Sequence, residues 1–204
     1  LMLQEVNSLV ALDQLLENTT YQEYSQVTTL KTDGKPFGVR NLVILSKYEI
    51  VNTDQYLHDF IPQPVYKKVT AIPAEDPEKL TWERPILHAQ INVDGKTLDL
   101  LNLHLKSKNP GNIKGQKKDR FTWLSASGWA EAFFVADVKR TGQALELRYV
   151  IDSLFDTDES ANIIAAGDFN ADVGEVALEA VLGRTENTGN SDLNLREMIP
   201  AEST

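Results

Sequence analysis

The sequence feature that most constrains the fold is an alternating strand pattern on both sides of a tight turn. Every second residue from Leu87 to Val93 is apolar, and the run ends at Asp94-Gly95, a pair that readily adopts the positive φ angles of a hairpin turn. We expect a return strand from about Thr97 to Leu105. Period two gives this strand one face with Leu101, Leu103 and Leu105, and a second face with Leu98, Leu100, Asn102 and His104. The second face changes from apolar to polar where the strand ends.

Two other polar clusters also follow strand patterns. Leu1–Gln4 has the composition of a buried strand, which would deliver Glu5 at its end, before a helix capped by Ser8. Asn162–Ala166 is a short apolar strand that runs into Gly167-Asp168-Phe169-Asn170. Elsewhere the patterns predict strands at Asn41–Leu45 and Tyr48–Asn52, a loop over residues 66–82, and an amphipathic helix marked by residues 144–154, after an aromatic stretch from Phe121 to Phe134.

The charge distribution limits how the chain could hold a nucleic acid. The formal net charge is -10, whereas proteins that bind nucleic acid by overall electrostatics present a broad basic face. Residues 106–118 reverse this sign locally, with five lysines and no acidic residue. Because the chain has no cysteine, a metal would need oxygen or imidazole ligands. No apolar run has the length of a membrane span, so we expect no membrane anchor, and nothing implies a protein partner.

The polar residues at the three strand ends fit the needs of phosphodiester hydrolysis. A hard cation such as Mg²⁺ takes oxygen ligands, keeps several waters, and needs only one or two carboxylates. An imidazole and carboxamides can hold phosphoryl oxygens while a carboxylate orients the attacking water. Each residue alone has a simpler explanation: Glu5 as a charge at a helix end, His104 as a half-buried strand histidine, and Asp168 with Asn170 as a turn.

Taken together and in this order, three segments carry a resemblance to a known family. Leu-Gln-Glu-Val, Asn-Leu-His-Leu and Gly-Asp-Phe-Asn-Ala-Asp resemble the signature of the endonuclease/exonuclease/phosphatase superfamily. The last segment is highly specific, and matches extend from Glu5 to about Asp172. The resemblance implies an α/β fold, namely the four-layer α/β/β/α sandwich of the deoxyribonuclease type, in one domain over residues 1–204. It also implies a metal-dependent phosphoric ester hydrolase.

The resemblance also implies a role for each of four residues. Glu5 would be the ligand of a divalent metal, Mg²⁺ or Mn²⁺. His104 would contact the scissile phosphate and take part in proton transfer. Asp168 would orient or activate the attacking water, and Asn170 would bind a phosphoryl oxygen.

Three further residues, Arg84, Asn102 and Lys106, are predicted to bind the substrate. Arg84 resembles the phosphate-contacting arginine of the family. His-Leu-Lys-Ser-Lys at residues 104–108 resembles a stretch that is common in bacterial nuclease-like members, and basic side chains there could contact neighbouring phosphates of a polymer. We therefore expect a nuclease with nucleic acid as its substrate. Two alternatives stay open: a phosphatase or phosphodiesterase for a lipid headgroup or small phosphate ester, and a binding module that kept the fold and lost the reaction.

The C-terminal part departs from the family pattern. The family closes with Ser-Asp-His on a later strand, whereas here Ser191-Asp192 is followed by Leu193, only about twenty residues after Asn170. The usual asparagine before Leu-Gln-Glu is also missing. From the resemblance we expect the domain to be incomplete at both ends, and residues 1–204 alone to hydrolyse little substrate.

Overall fold

A computed structural model describes residues 1–183 of the chain. These residues divide into two compact units. Unit 1 comprises Leu1–Phe60, Glu83–Leu105 and Val150–Phe169, and unit 2 comprises Ile61–Trp82, Lys106–Tyr149 and, of the described residues, also residues 170–183. In chain order the elements are β1 (Met2–Val6), α1 (Leu9–Leu16), a 3₁₀ helix (Thr20–Glu23), β2 (Ser25–Thr28), β3 (Asn41–Ser46), β4 (Glu49–Tyr56), β5 (Val65–Tyr66), β6 (Glu78–Lys79), β7 (Ile86–Val93), β8 (Lys96–His104), α2 (Ala126–Thr157), β9 (Asn162–Asp168) and α3 (Val176–Leu182).

Unit 1 contains two sheets that pack face to face. The first sheet has the strand order β1-β3-β2 and is antiparallel, while the second has the order β4-β7-β8-β9 and is antiparallel except between β8 and β9. Leu42 and Ile44 of β3 form a buried cluster with Leu87 and Ala89 of β7. The opposite face of β3 packs against Leu12 of α1. Helix α1 and the two sheets therefore form three successive layers.

The predicted hairpin and helix cap are confirmed. Asp94 and Gly95 have φ angles of 52° and 83°, which is the left-handed conformation that a two-residue turn requires. The strands on either side are β7 and β8, with Leu87 paired to Asn102. Ser8 caps α1, because its Oγ accepts the Ala11 N–H at 3.1 Å.

Helix α2 is longer than the sequence pattern predicted. It begins at Ala126, so most of the aromatic stretch forms its first turns. Trp129, Phe133 and Phe134 are exposed there, and large apolar residues on the outer face hide the helical periodicity on which the prediction depended. The segment 66–82, predicted as a loop, also contains part of a two-stranded pairing between β5 and β6.

Unit 2 is held together by polar contacts as well as by a small apolar cluster of Ala71, Ile113 and Ala132. The Glu131 carboxylate accepts the backbone N–H groups of Val69 and Thr70 at 2.6 and 2.9 Å. Within residues 1–183, none of the helices combines the length and apolar character needed to cross a membrane.

Candidate active site

The adjacent ends of β8 and β9 bring together two of the predicted catalytic residues. The strands are parallel, His104 is paired with Asp168 in register, and the Leu105 N–H donates to the Asp168 carbonyl oxygen at 2.9 Å. Gly167 permits this close approach, because a Cβ atom on it would lie 2.0 Å from the Leu103 carbonyl oxygen. Its φ of 147° is also one that side-chain-bearing residues rarely adopt. The glycine therefore fixes the position of Asp168 beside His104.

Glu5 reaches the same place from the first sheet through an irregular backbone. The pairing of β1 with β3 shifts register between Leu3 and Val6, and Glu5 has a left-handed φ of 55°. Bulges of this kind redirect side chains, and left-handed backbone in a residue other than glycine is concentrated at functional sites. The Glu5 side chain is 59% exposed.

The His104 imidazole lies between two carboxylates. Its Nδ1 atom is 4.0 Å from Glu5 Oε1, and its Nε2 atom is 3.3 Å from Asp168 Oδ2. The histidine side chain is only 6% exposed, whereas that of Asp168 is 50% exposed. The two carboxylates are therefore open to solvent, and the imidazole is buried between them.

Burial shifts the pKa of this imidazole in favour of its neutral form. Burial is the largest influence on His104 and lowers its pKa below the ordinary 6.5, and the positive charge of Arg84 lowers this pKa further. Asp168 and Glu5 act in the opposite direction but do not reverse the shift. A neutral imidazole at pH 7 can donate one proton and accept another, which is the property that proton transfer requires.

Two arginines add positive charge beside these groups. Arg84 is half-buried; burial and then the charge of Arg40 lower the pKa of its guanidinium, while Glu83, Glu5 and Asp168 raise it. An arginine stays charged under these influences. Arg40, which the sequence analysis missed, is held with a φ of 59°, and its backbone N–H donates to Asn7 Oδ1 at 3.0 Å. Nothing in the local pattern distinguishes Arg40 from any other arginine before a strand.

Asn102 lies beneath the site rather than on its surface. The side chain is fully buried, and its Nδ2 atom donates to the carbonyl oxygens of Leu3 and Val43 at 3.0 Å each. Its Oδ1 atom accepts from Gln4 Nε2 at 2.8 Å. These bonds join β8 to β1 and β3, so Asn102 positions the strand that carries Glu5, and its predicted contact with substrate stays a prediction.

The remaining predicted residues, Lys106 and Asn170, belong to unit 2. Lys106 Nζ donates to the carbonyl oxygens of Ser107 and Asn109 at 3.1 and 3.0 Å. Asn170 has a left-handed φ of 49°, the same kind of backbone as at Glu5. The predicted substrate contacts of both residues stay predictions. Ser191-Asp192-Leu193 lies outside the described residues.

The oxygen donors of the site fit a hard cation. Mg²⁺ binds through one or two carboxylates and keeps several waters. The Glu5 carboxylate is exposed, so it could bind the ion while the waters remain on the solvent side. The buried Nδ1 atom of His104 has no hydrogen-bond partner and faces the same carboxylate. No group of three or more acidic or histidine side chains within residues 1–183 has the arrangement of a protein cage for a metal. A cation held here would therefore depend on Glu5 and water.

No family model and no curated protein matches the sequence, but solved structures do. Sphingomyelinase C from Streptomyces griseocarneus is 18% identical with a TM-score of 0.52, over 89% of this chain and 55% of that one. The human nocturnin catalytic domain with bound sulfate is 16% identical with a TM-score of 0.48, over 87% and 53%. Truncated TDP2 from Caenorhabditis elegans is 15% identical with a TM-score of 0.45, over 84% and 49%. This chain thus spans about half the length of each.

The match to the sphingomyelinase, with a TM-score of 0.52 over 89% of this chain, carries the fold assignment. The predicted α/β sandwich is confirmed by this match. The chain therefore has the deoxyribonuclease-type α/β fold.

Proposed function

We propose that this protein is a metal-dependent phosphodiester hydrolase, and more specifically a nuclease. The observation that carries the proposal is the His104 imidazole placed 4.0 Å from Glu5 and 3.3 Å from Asp168. A buried neutral imidazole between two exposed carboxylates, with arginine charge acting on it, provides acid–base groups and anion-binding groups in one place.

Asp168 and His104 act together on the attacking water. The exposed Asp168 carboxylate orients the water and accepts its proton. His104 Nε2 holds that carboxylate in position. The imidazole takes up the proton that Asp168 received from the water and releases one to the leaving oxygen, so that both side chains end in the protonation states in which they began. The guanidinium of Arg84 stabilises the negative charge that develops on the phosphoryl group. Asn170 binds a phosphoryl oxygen in this scheme.

Glu5 holds the divalent cation in the proposed site. A Mg²⁺ ion bound there would polarise a phosphoryl oxygen and offset charge in the transition state. Asn102 contributes by fixing the strand on which Glu5 stands. Mn²⁺ prefers the same oxygen ligands, so we expect either ion to support activity.

A nucleic acid is the preferred substrate because of the lysine-rich segment that follows His104. Residues 106–118 carry five lysines in an acidic chain, and cations near a hydrolytic site can contact successive phosphates of a polymer. The second candidate, a phosphodiesterase for a lipid headgroup, is favoured by the structural match to sphingomyelinase C.

Salt dependence separates the two candidates. The rates of Mg²⁺-dependent hydrolysis of plasmid DNA, RNA, a soluble phosphate monoester and a phosphocholine lipid by the full-length protein are compared between about 50 and 200 mM salt. The rate of a nuclease on the polymers should fall steeply as salt rises. Binding of the protein releases cations from the nucleic-acid strand, and added salt opposes that release. Hydrolysis confined to the monoester or to a phosphocholine lipid, with little salt dependence, would contradict the nuclease proposal.

A further inference from the structure

A short hairpin in unit 2 presents an aromatic ring among basic side chains. Lys117 and Trp123 form an antiparallel bridge, and the Lys118 N–H donates to the Thr122 carbonyl oxygen at 2.9 Å. Inside the turn, Asp119 Oδ1 accepts the backbone N–H groups of Phe121 and Thr122 at 2.8 Å each. We call residues 117–123 the aromatic–basic hairpin. Its turn is preorganised by Asp119, whose charge is used within the turn.

Each aromatic ring of this hairpin has a cation over its face. The guanidinium carbon of Arg120 is 5.2 Å from the centre of the Phe121 ring, and Lys117 Nζ is 4.7 Å from the centre of the Trp123 ring. Trp123 packs against the apolar cluster of unit 2 and so anchors the hairpin. Phe121 does not, because it is 82% exposed. An exposed ring on an ordered turn has little conformational entropy to lose when a ligand covers it.

The positive charge at the hairpin is available to a partner. Other basic residues of the same loop have acidic neighbours: Lys108 lies 2.8 Å from Asp172, and Lys114 lies 3.6 Å from Glu75. In the part of the chain that the structure describes, no ion pair joins Lys117, Lys118 or Arg120 to an acidic side chain within 4.0 Å. Three cations and one open aromatic face therefore lie within five residues of one another.

We propose that the aromatic–basic hairpin binds single-stranded nucleic acid, with one base stacked on the open face of Phe121 and with Lys117, Lys118 and Arg120 against the backbone phosphates. Proteins bind single strands by this combination of a stacking ring and a basic track. The inference deepens the proposed function, because it names a single-stranded segment as the form in which the substrate is held.

An anionic membrane surface is the other polyanion that a basic aromatic tip could meet. Phe121 is the single apolar side chain among residues 117–122, Lys-Lys-Asp-Arg-Phe-Thr. Interfacial membrane binding depends on a large buried apolar area together with basic charge, and one ring supplies little of it in a chain with a net charge of -10. The composition of the tip therefore favours a nucleic-acid strand.

The test compares substitutions that separate stacking from apolar burial. Binding of a fluorescein-labelled oligothymidylate to the purified protein is followed by fluorescence anisotropy in EDTA, so that no hydrolysis takes place. Phe121→Trp keeps an aromatic face, whereas Phe121→Leu keeps apolar volume without one. Phe60→Leu, at a partly exposed phenylalanine of unit 1, is the matched control. The same proteins are sedimented with vesicles of phosphatidylserine and phosphatidylcholine.

We expect Phe121→Trp and Phe60→Leu to bind the oligonucleotide like the unchanged protein, and Phe121→Leu to bind it at least about fivefold more weakly. Arg120→Gln should lower the slope of log Kd against log salt by about 0.7, the value for one phosphate contact on a single strand. Equal affinity of Phe121→Leu and the unchanged protein would overturn the proposal. So would vesicle binding that survives in Phe121→Leu while the oligonucleotide does not bind.

The two proposals fail separately. Aromatic-specific binding in EDTA, without any Mg²⁺-dependent hydrolysis of the same oligonucleotide, upholds the hairpin as a binding surface and refutes the nuclease. Hydrolysis that depends on His104, without aromatic-specific binding, refutes the hairpin and leaves the catalytic proposal standing.

Discussion

Replacing Asn102 should lower the stability of the fold more than it lowers the hydrolytic activity of each folded molecule. The Asn102→Ala substitution removes the three hydrogen bonds of a fully buried side chain, one with Gln4 Nε2 at 2.8 Å and two with the carbonyl oxygens of Leu3 and Val43 at 3.0 Å. Each such bond contributes about 0.5–1.5 kcal/mol net, and a buried group left without a partner costs about 1–3 kcal/mol. We expect the free energy of unfolding to fall by about 2–4 kcal/mol, and Tm to fall by roughly 4–16 °C in a domain of this size.

Asn102→Asp should be worse than Asn102→Ala, although it has nearly the same shape. It keeps an acceptor for Gln4, but it turns a buried carboxylate towards two carbonyl oxygens, and an uncompensated buried charge costs about 3–5 kcal/mol. Asn52→Ala on the exposed side of β4 is the control and should change stability by no more than about 0.5 kcal/mol.

Calorimetry and hydrolysis assays on the same preparations decide between the two roles of Asn102. If Asn102 only positions β1, the substitution should lower the activity per folded molecule only to the extent that it displaces Glu5 on that strand. An Asn102→Ala protein with unchanged Tm and abolished hydrolysis would refute this reasoning, and it would show that Asn102 contacts the substrate directly.

Three further outcomes follow from the site. His104→Ala should lower turnover by roughly 10² or more, with only a modest change in Tm. The control is His88→Ala, which removes a buried histidine bonded to Asp99 at 2.7 Å; it should lower Tm and leave the specific activity of the folded protein near normal. The reverse pattern would make His104 structural. Glu5→Gln should raise the Mg²⁺ concentration needed for half-maximal rate, and Glu49→Gln on an exposed strand position should not, so equal Mg²⁺ titration curves would remove Glu5 from the metal site. Because folding lowers the pKa of His104 below 6.5, the unfolded chain takes up this proton first as pH falls. The contribution of His104 to the free energy of unfolding should therefore be highest above about pH 6.5 and should decrease below it. Urea titrations of the unchanged protein and of His104→Gln would contradict this if the free energy of unfolding decreased equally in both.

Strand periodicity and the family resemblance together predicted that His104 and Asp168 lie at one edge of the sheet, and the structure pairs these two residues in register. Alternation put Asn102 and His104 on one face of β8, and the apolar run of β9 pointed to Asp168 at its end. Because β8 and β9 are parallel neighbours, their ends meet at one edge of the sheet. The predicted hairpin, the cap at Ser8 and the strand at β3 follow equally local rules of turn geometry and capping.

The role of a side chain at that edge could not be predicted from alternation. Asn102 and His104 lie on the same face of β8. However, the Nδ2 group of Asn102 donates both of its hydrogen bonds to backbone carbonyl oxygens of two other strands, which a single-sequence pattern cannot show. The left-handed backbone of Glu5 results from a bulge against β3, and the influence of Arg40 arises from long-range pairing of β3 with β1. The start of α2 was missed for a different reason, because exposed aromatic residues on its first turns obscure the helical period.

The most direct test of the account is Mg²⁺-dependent hydrolysis of a labelled single-stranded nucleic acid by the full-length protein and by two aspartate variants. Asp168→Asn changes the carboxylate 3.3 Å from His104, whereas Asp172→Asn changes an aspartate that pairs with Lys108 and is 84% exposed. The account predicts a rate about 10² lower for Asp168→Asn, a rate near that of the unchanged protein for Asp172→Asn, and no hydrolysis in EDTA. Equal rates for the two variants, or full activity in EDTA, would contradict the claim that Glu5, His104 and Asp168 form a metal-dependent hydrolytic site.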